Sequence, residues 1–337
     1  MSRNNRMVVA WDGSGEFTRI QEAIDQVPAD NREQVVIHIK PGVYREKLVI
    51  EKPYVTLMGE SKDAEDTVIT YDDSAWKTFP DGERYETFHS YTLFVGAVGF
   101  TAERLTIENS AGPGEQVGQA VAAYVDADRA VFRDCRLLGY QDTLCTGPLP
   151  DRPIDPNQPY FGGPRGRAPR IQGRQLYERC YIEGDIDFIF GSAAALFYHC
   201  SIHSRSLRQP AATHGWVTAA STPEHAEYGY VFRRCRLSGD APPGSVYLGR
   251  PWRNHAHTVF IDCWLGAHIR PEGWDNWDKP ESEHTVRYAE HGSYGPGAMG
   301  AQRVGWSRQL AELELRQYEP ERMLGGSDGW RPLEGSE

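Results

Sequence analysis

Two aspartates stand at one offset from two similar markers: Asp142 lies seven residues after Cys135, and Asp187 seven after Cys180. Matching offsets in a repeating chain bring side chains together on neighbouring strands, about 4.8 Å apart. Two carboxylates that close split their ionisation, so one stays protonated near neutrality while the other carries charge. Such a pair suits general acid–base or nucleophilic work. Aspartate is also an ordinary turn residue, but the flanks here are not those of solvated turns. Gly139-Tyr140-Gln141-Asp142-Thr143-Leu144 and Asp187-Phe188-Ile189-Phe190-Gly191 embed each carboxylate in apolar or aromatic sequence, and a buried carboxylate needs a partner.

The markers belong to a repeat. Five segments share an apolar pair, two polar residues, Cys, any residue, then Ile or Leu: Val131–Leu137, Leu176–Ile182, Leu196–Ile202, Val231–Leu237 and Val259–Leu265. Their cysteines are 45, 20, 35 and 28 residues apart. The shortest spacing is about one coil of a β-solenoid, and the longer ones are a coil plus an inserted loop. The segment 146–173, rich in Pro, Gly and Arg, is such an insertion and borders a binding face. Short apolar strands at 35–39, 48–50 and 54–58, each stopped by Pro or Gly, extend the plan toward the N-terminus. The expected architecture is all-β: a single-stranded right-handed parallel β-helix forming one domain over 1–337, with its core at about 8–300. Apolar residues at 17, 20, 24 and 27 predict an N-terminal capping helix, with Thr18 and Gln21 as a capping box. Ser307 to Tyr318 reads as a C-terminal helix ending before Pro320, and the last dozen residues as a loose tail. Stacked cysteines pack as small hydrophobes; Cys180 and Cys200, one coil apart, are the pair whose stacking could reach disulfide distance.

Composition excludes several classes. The formal net charge of −11 argues against nucleic acid and disfavours a strongly polyanionic ligand unless local arginines offset the field. No segment has the length and apolarity of a membrane span, and the N-terminus is too polar for a signal peptide, so a cytoplasmic setting is expected. The six cysteines form no C-x-x-C pair, against a zinc site. Gly325-Gly326-Ser327-Asp328-Gly329 fits the G-x-S-x-G pattern, but it lacks a preceding strand and a later His, so Ser327 is not a nucleophile.

Four blocks in order, Gly118-Gln119-Ala120-Val121-Ala122, Gly139 to Leu144, Asp185 to Gly191 and Leu248-Gly249-Arg250-Pro251-Trp252, resemble the signature blocks of pectinesterases. Pro41-Gly42-Val43-Tyr44 and Leu57 to Ser61 extend the similarity over roughly residues 8 to 300. The resemblance implies a pectin methylesterase that cleaves C6 methyl esters of pectin or oligogalacturonides without metal or cofactor, and a monomer is expected. It implies that Asp187 is the nucleophile, Asp142 the acid and then base, Gln119 and Gln141 oxyanion donors, and Arg250 the partner of Asp187. Trp252 matches a sugar platform and Thr87 a substrate contact. Tyr140 and Phe188, which flank the catalytic positions, and His214, Trp216 and His255 are further substrate-contact candidates. Departures are Cys145, where the family usually has an aromatic residue, and the length of the 146–173 insertion, which is similar to bacterial members without a secretion signal.

Four other readings share these residues. The same site could cleave a different ester or thioester. The chain could be a non-catalytic carbohydrate-binding solenoid, which the retained set Gln119, Gln141, Asp142, Asp187 and Arg250 opposes. A lyase would want an acidic calcium cluster, which is not apparent near the blocks. A glycosidase would use a carboxylate pair, and only the family resemblance separates that case.

Overall fold

The computed structural model describes residues 6–155, 157–158 and 160–333. Its chain winds into a parallel β-helix of three sheets, with eleven, eight and seven strands among the described residues. Three successive coils carry Asp142, Asp187 and Trp216 of the candidate site. Ala130–Arg133, Arg136–Leu138 and Leu144–Thr146 form the first. Arg174–Glu178, Tyr181–Gly184 and Ile186–Gly191 form the second. Ala194–Tyr198, Ser201–Ser204 and Gly215–Ala220 form the third.

The cysteine template explains how each coil is held. Its apolar pair sits on one strand, so the two side chains face opposite sides. The second position points inward: Phe132, Tyr177, Phe197, Phe232 and Phe260 pair in register and stack with centroids 5.1, 4.8, 4.4 and 4.6 Å apart. The first position points outward, where Val131, Leu176, Leu196, Val231 and Val259 are also buried, beneath Tyr318, Met323 and Leu324 of the C-terminal segment. The second polar residue turns the corner into the next sheet. Asp134, Arg179, His199, Arg234 and Asp262 all have φ between 49° and 54°, a left-handed conformation that costs a residue with a Cβ roughly 1–2 kcal/mol. The cysteine that follows faces inward, and its thiol donates to the carbonyl of the stacked aromatic one coil earlier: Cys180 to Phe132 (3.3 Å), Cys200 to Tyr177 (3.1 Å), Cys235 to Phe197 (3.2 Å) and Cys263 to Phe232 (3.4 Å). All six cysteines, Cys180 and Cys200 included, are free and buried.

Both predicted end helices differ from expectation. The N-terminal helix is Ile20–Asp25 and has no side-chain cap at Arg19. Its first free amides, on Ile20 and Gln21, instead donate to the Glu46 carboxylate (2.8 and 3.2 Å), while the Gln21 amide group reaches Asp25 and Val49. A carboxylate from another coil has replaced the predicted Thr18–Gln21 capping box. At the other end, Ser307–Tyr318 divides into a short strand, Arg308–Gln309, and a 3-10 helix, Glu312–Tyr318. An α-helix, Pro320–Gly325, follows with proline in its first turn, where a missing amide costs nothing. The described part of the tail is tied down: Arg174 pairs with Asp328 at 2.6 Å and Arg133 holds the Pro332 carbonyl. Ser327 therefore lies in a turn after a helix, outside any strand–turn–helix context. Residues 334–337 lie outside the described residues.

Among the described residues, no strand forms between Thr146 and Arg174. The insertion is fastened by Arg165 to the buried Asp126 (2.8 Å), by the Gly163 amide to His89 Nε2 (2.8 Å), and by Phe161 packed edge-on to Phe88.

Candidate active site

The seven-strand sheet brings the aspartates together. Leu144 pairs with Ile189, so Asp142 lies beside Asp187 one coil on, and the Asp142 amide donates to the Ile186 carbonyl at 3.0 Å. Both aspartates have left-handed backbone, φ 65° and 51°, a strain that clusters at functional positions. Both are buried, 8% and 6% exposed, which makes their charges costly without partners.

Among the described residues, only one of them has such a partner. Arg250, on the strand Val246–Pro251, donates from Nε to Asp187 Oδ1 at 2.8 Å and from Nη2 to Oδ2 at 2.7 Å. The guanidinium is clamped between the rings of Trp216 and Trp277, each centroid 3.7 Å from its central carbon. Burial pushes the Asp142 carboxyl well above its ordinary range, and the Asp187 charge adds to that. Burial raises Asp187 as well, but the Arg250 charge and hydrogen bonds oppose it. Arg250 thus favours the charged form of Asp187, while nothing comparable offsets the burial of Asp142. Asp185, buried behind them, is pushed up to about 6 by burial, and the Ile186 amide donates to its Oδ1 at 2.6 Å.

Gln119 and Gln141 lie on adjacent coils, linked by the Ala120 amide to the Gln141 carbonyl at 3.1 Å. Both are part-exposed, and among the described residues neither side-chain amide has a hydrogen-bond partner. Two uncommitted N–H donors next to an arginine-paired carboxylate and a buried carboxyl are suited to a developing oxyanion.

The remaining sequence candidates divide. Trp252 packs on Phe88, Phe161 and Phe190 and is still part-exposed, and Thr87 lies on the turn Thr87–His89 that carries Phe88. Trp216 serves Arg250. His255 lines a cleft of about 720 Å³ beside Trp252, with its Nε2 3.8 Å from Glu224. Phe188, by contrast, is fully buried in the helix interior, because it alternates with the outward Asp187; it is a core residue and not a substrate contact. His214 is also buried, with Nδ1 accepting from the Leu207 amide at 3.1 Å, so it fastens the 205–214 loop instead of lining the cleft. The Tyr140 ring lies 4.2 Å beneath the Arg205 guanidinium, which fixes it at the flank of Gln141. Sequence reasoning missed Trp277. Its signal was the aromatic density of Gly273-Trp274-Asp275-Asn276-Trp277, in a stretch with no repeat template to give it a place.

A β-helix that presents an arginine-paired carboxylate, a second buried carboxyl and amide donors side by side has the groups an ester hydrolase needs. The pectinesterase family model matches residues 6–148 and 170–327. Pectinesterase 31 of Arabidopsis thaliana is 38% identical over 325 residues, covering 93% of this chain and 90% of that one. Among solved structures, a pectin methylesterase in complex with a hexasaccharide has a TM-score of 0.80 at 31% identity and covers 97% of this chain and 98% of its own. The carrot pectin methylesterase has 0.78 at 31%, covering 96% and 93%. The chain belongs to the pectinesterase family.

Proposed function

We propose that the protein hydrolyses the C6 methyl esters of galacturonides to carboxylate and methanol, with Asp187 and Asp142 as its catalytic residues. The observation that carries this reading is the asymmetry of the pair: Arg250 makes its two hydrogen bonds to Asp187 alone. An Asp187 oxygen attacks the ester carbonyl. The negative charge that forms on the carbonyl oxygen is met by the Gln119 and Gln141 amides. As the tetrahedral centre collapses, the C–O bond to the methoxy group breaks and the Asp142 carboxyl gives that oxygen its proton, releasing methanol. The product is an anhydride between Asp187 and the sugar carboxyl. Asp142, now ionised, takes a proton from water as the water attacks the anhydride, which restores both aspartates and frees the acid.

Trp252 supports a sugar ring in this reading. Short oligomers in the cytoplasm, acted on by a monomer, are part of the same proposal. The six free, buried thiols favour a reducing compartment, and cell fractionation tests that placement. The activity is tested by methanol release from methylated trigalacturonate and from high-methoxyl pectin, in EDTA, with wild type and Asp187→Ala. Release by wild type and almost none by the variant supports the reading, and the ratio of the two substrates decides between oligomer and polymer. No methanol from either substrate with folded protein overturns it.

A further inference from the structure

Among the described residues, the side-chain amides of Gln119 and Gln141 make no hydrogen bond. The last torsion of a glutamine is broad and roughly two-fold, so by itself it does not aim the amide. Oxyanion donors act well only when their direction is fixed before charge develops. Packing must then do the fixing, and one short element touches both glutamines. The segment Pro113 to Gly118 closes a single helical turn, Gly114–Val117, and Gly118 leads directly into Gln119.

Gly114 is buried against Gln141. A methyl group on its Cα would stand 2.4 Å from Gln141 Oε1, 2.7 Å from Gln141 Cβ and 3.3 Å from Cδ. Nε2 is farther than all three, so the amide turns its oxygen toward the helical turn and its donor end away. Gly114 does not have left-handed backbone, so it is the room beside its Cα, and not its backbone, that calls for glycine. Gly118 is different: its φ is 76°, and a methyl group there would stand 2.7 Å from Trp76 Nε1. The Trp76 amide donates to the Val117 carbonyl at 3.2 Å and the Ala75 amide to the Gln119 carbonyl at 2.8 Å. Residues 75 and 76 therefore lock the far end of the turn where Gln119 begins. From the other flank, the Glu115 carboxylate accepts the Arg208 amide at 3.2 Å and ties the turn to the 205–214 loop.

We propose that the turn Gly114–Val117 positions the oxyanion donors, and that Gly114 is the positioning residue for Gln141. The bare Cα leaves the space that the amide oxygen occupies, which keeps the nitrogen aimed at the reacting carbonyl. The inference rests on the esterase reading.

The test is Gly114→Ala. Alanine ordinarily favours a helix over glycine, so the variant should fold and melt no lower than wild type. Methanol release should show kcat lowered about 10²-fold, the scale of a misplacement of about 1 Å. KM should be nearly unchanged, and the acid limb of the pH profile should stay in place because Asp187 and Arg250 are untouched. In a Gln141→Leu background, Gly114→Ala should cost nothing further. A second loss in that background, or wild-type kcat in Gly114→Ala, overturns the assignment. If Gly114→Ala does not fold, Glu115→Ala replaces it. Glu115 is exposed, and its removal frees the turn from the 205–214 loop. Its kcat should fall several-fold, and the fall should vanish in the Gln141→Leu background; equal losses in both backgrounds, or none in either, overturn the proposal. If wild type itself releases no methanol, the esterase reading fails instead. Crystal structures of wild type and the variant then decide the positioning: a displaced Gln141 amide supports it, and an unmoved one overturns it.

Discussion

Arg250 grips Asp187 through two hydrogen bonds of 2.8 and 2.7 Å and makes none to Asp142, although the two aspartates are neighbours across one coil step. The proposed division of roles rests on that single asymmetry. Stacking alone would give two equivalent buried carboxyls sharing one proton. The fold breaks the equivalence by bringing Arg250 from two coils beyond Asp187, on a strand paired with Gly215–Ala220.

Removing the guanidinium removes the assignment. In Arg250→Met, Asp187 keeps its burial and loses the opposing charge, so its carboxyl rises further. The acid limb of kcat/KM should move to higher pH and its plateau should drop roughly 10²-fold or more. Stability follows the same sign. A carboxyl raised above its unfolded value leaves stability fully present below the unfolded pKa, and that stability is lost as pH rises through the folded one. The variant should therefore lose more melting temperature, relative to wild type, at pH 8 than at pH 5. Equal losses at both would show that Arg250 acts by packing alone.

Asp142 carries the opposite liability. Its carboxyl is pushed well above the ordinary range by burial and by Asp187, so as pH rises above the unfolded pKa the native state is increasingly penalised, up to the full amount once the group ionises in both states. Asp142→Asn keeps the shape and removes that penalty. It should melt higher than wild type at pH 7, by about 2 °C or more, and release almost no methanol. A lower melting temperature together with lost activity would mean that Asp142 is ionised and paired in the native protein.

The two glutamines should act on rate and little on binding. Gln119→Leu and Gln141→Leu each remove a donor that meets charge only as the tetrahedral centre forms. Each should cost about 10²–10³ in kcat with KM nearly unchanged. A rise in KM at constant kcat would make them ground-state sugar contacts.

Much of this was legible before the structure, and the reason is periodicity. Cys135 and Cys180 recur at one place in the coil, so an equal offset carried Asp142 and Asp187 to one place on the neighbouring sheet. The same logic failed where no repeat operates. Phe188 read as a substrate contact because it adjoins Asp187, yet strand alternation turns it inward. Thr18 and Gln21 had the letters of a capping box, while the cap came from Glu46, a contact across 26 residues that no local pattern encodes. The tail read as loose because its sequence is polar and rich in glycine. Its described part is held because the first apolar position of each template faces outward and needs a cover, to which Trp330 and Leu333 add.

Trp277 lies in such a pattern-free stretch, and its role can be measured. It closes one face of the Arg250 guanidinium and Trp216 closes the other, both at 3.7 Å. A cation over an aromatic face is worth about 0.5–2 kcal/mol, and the ring also keeps water from competing for Arg250. Trp277→Leu keeps apolar bulk and gives up the π-face. It should lower kcat roughly five- to tenfold and shift the acid limb upward, in the direction of Arg250→Met but by less. Trp277→Phe should recover most of the rate. If leucine and phenylalanine variants match wild type in both rate and pH profile, Trp277 only fills space, and the hold on Arg250 comes from Trp216 and the strand alone.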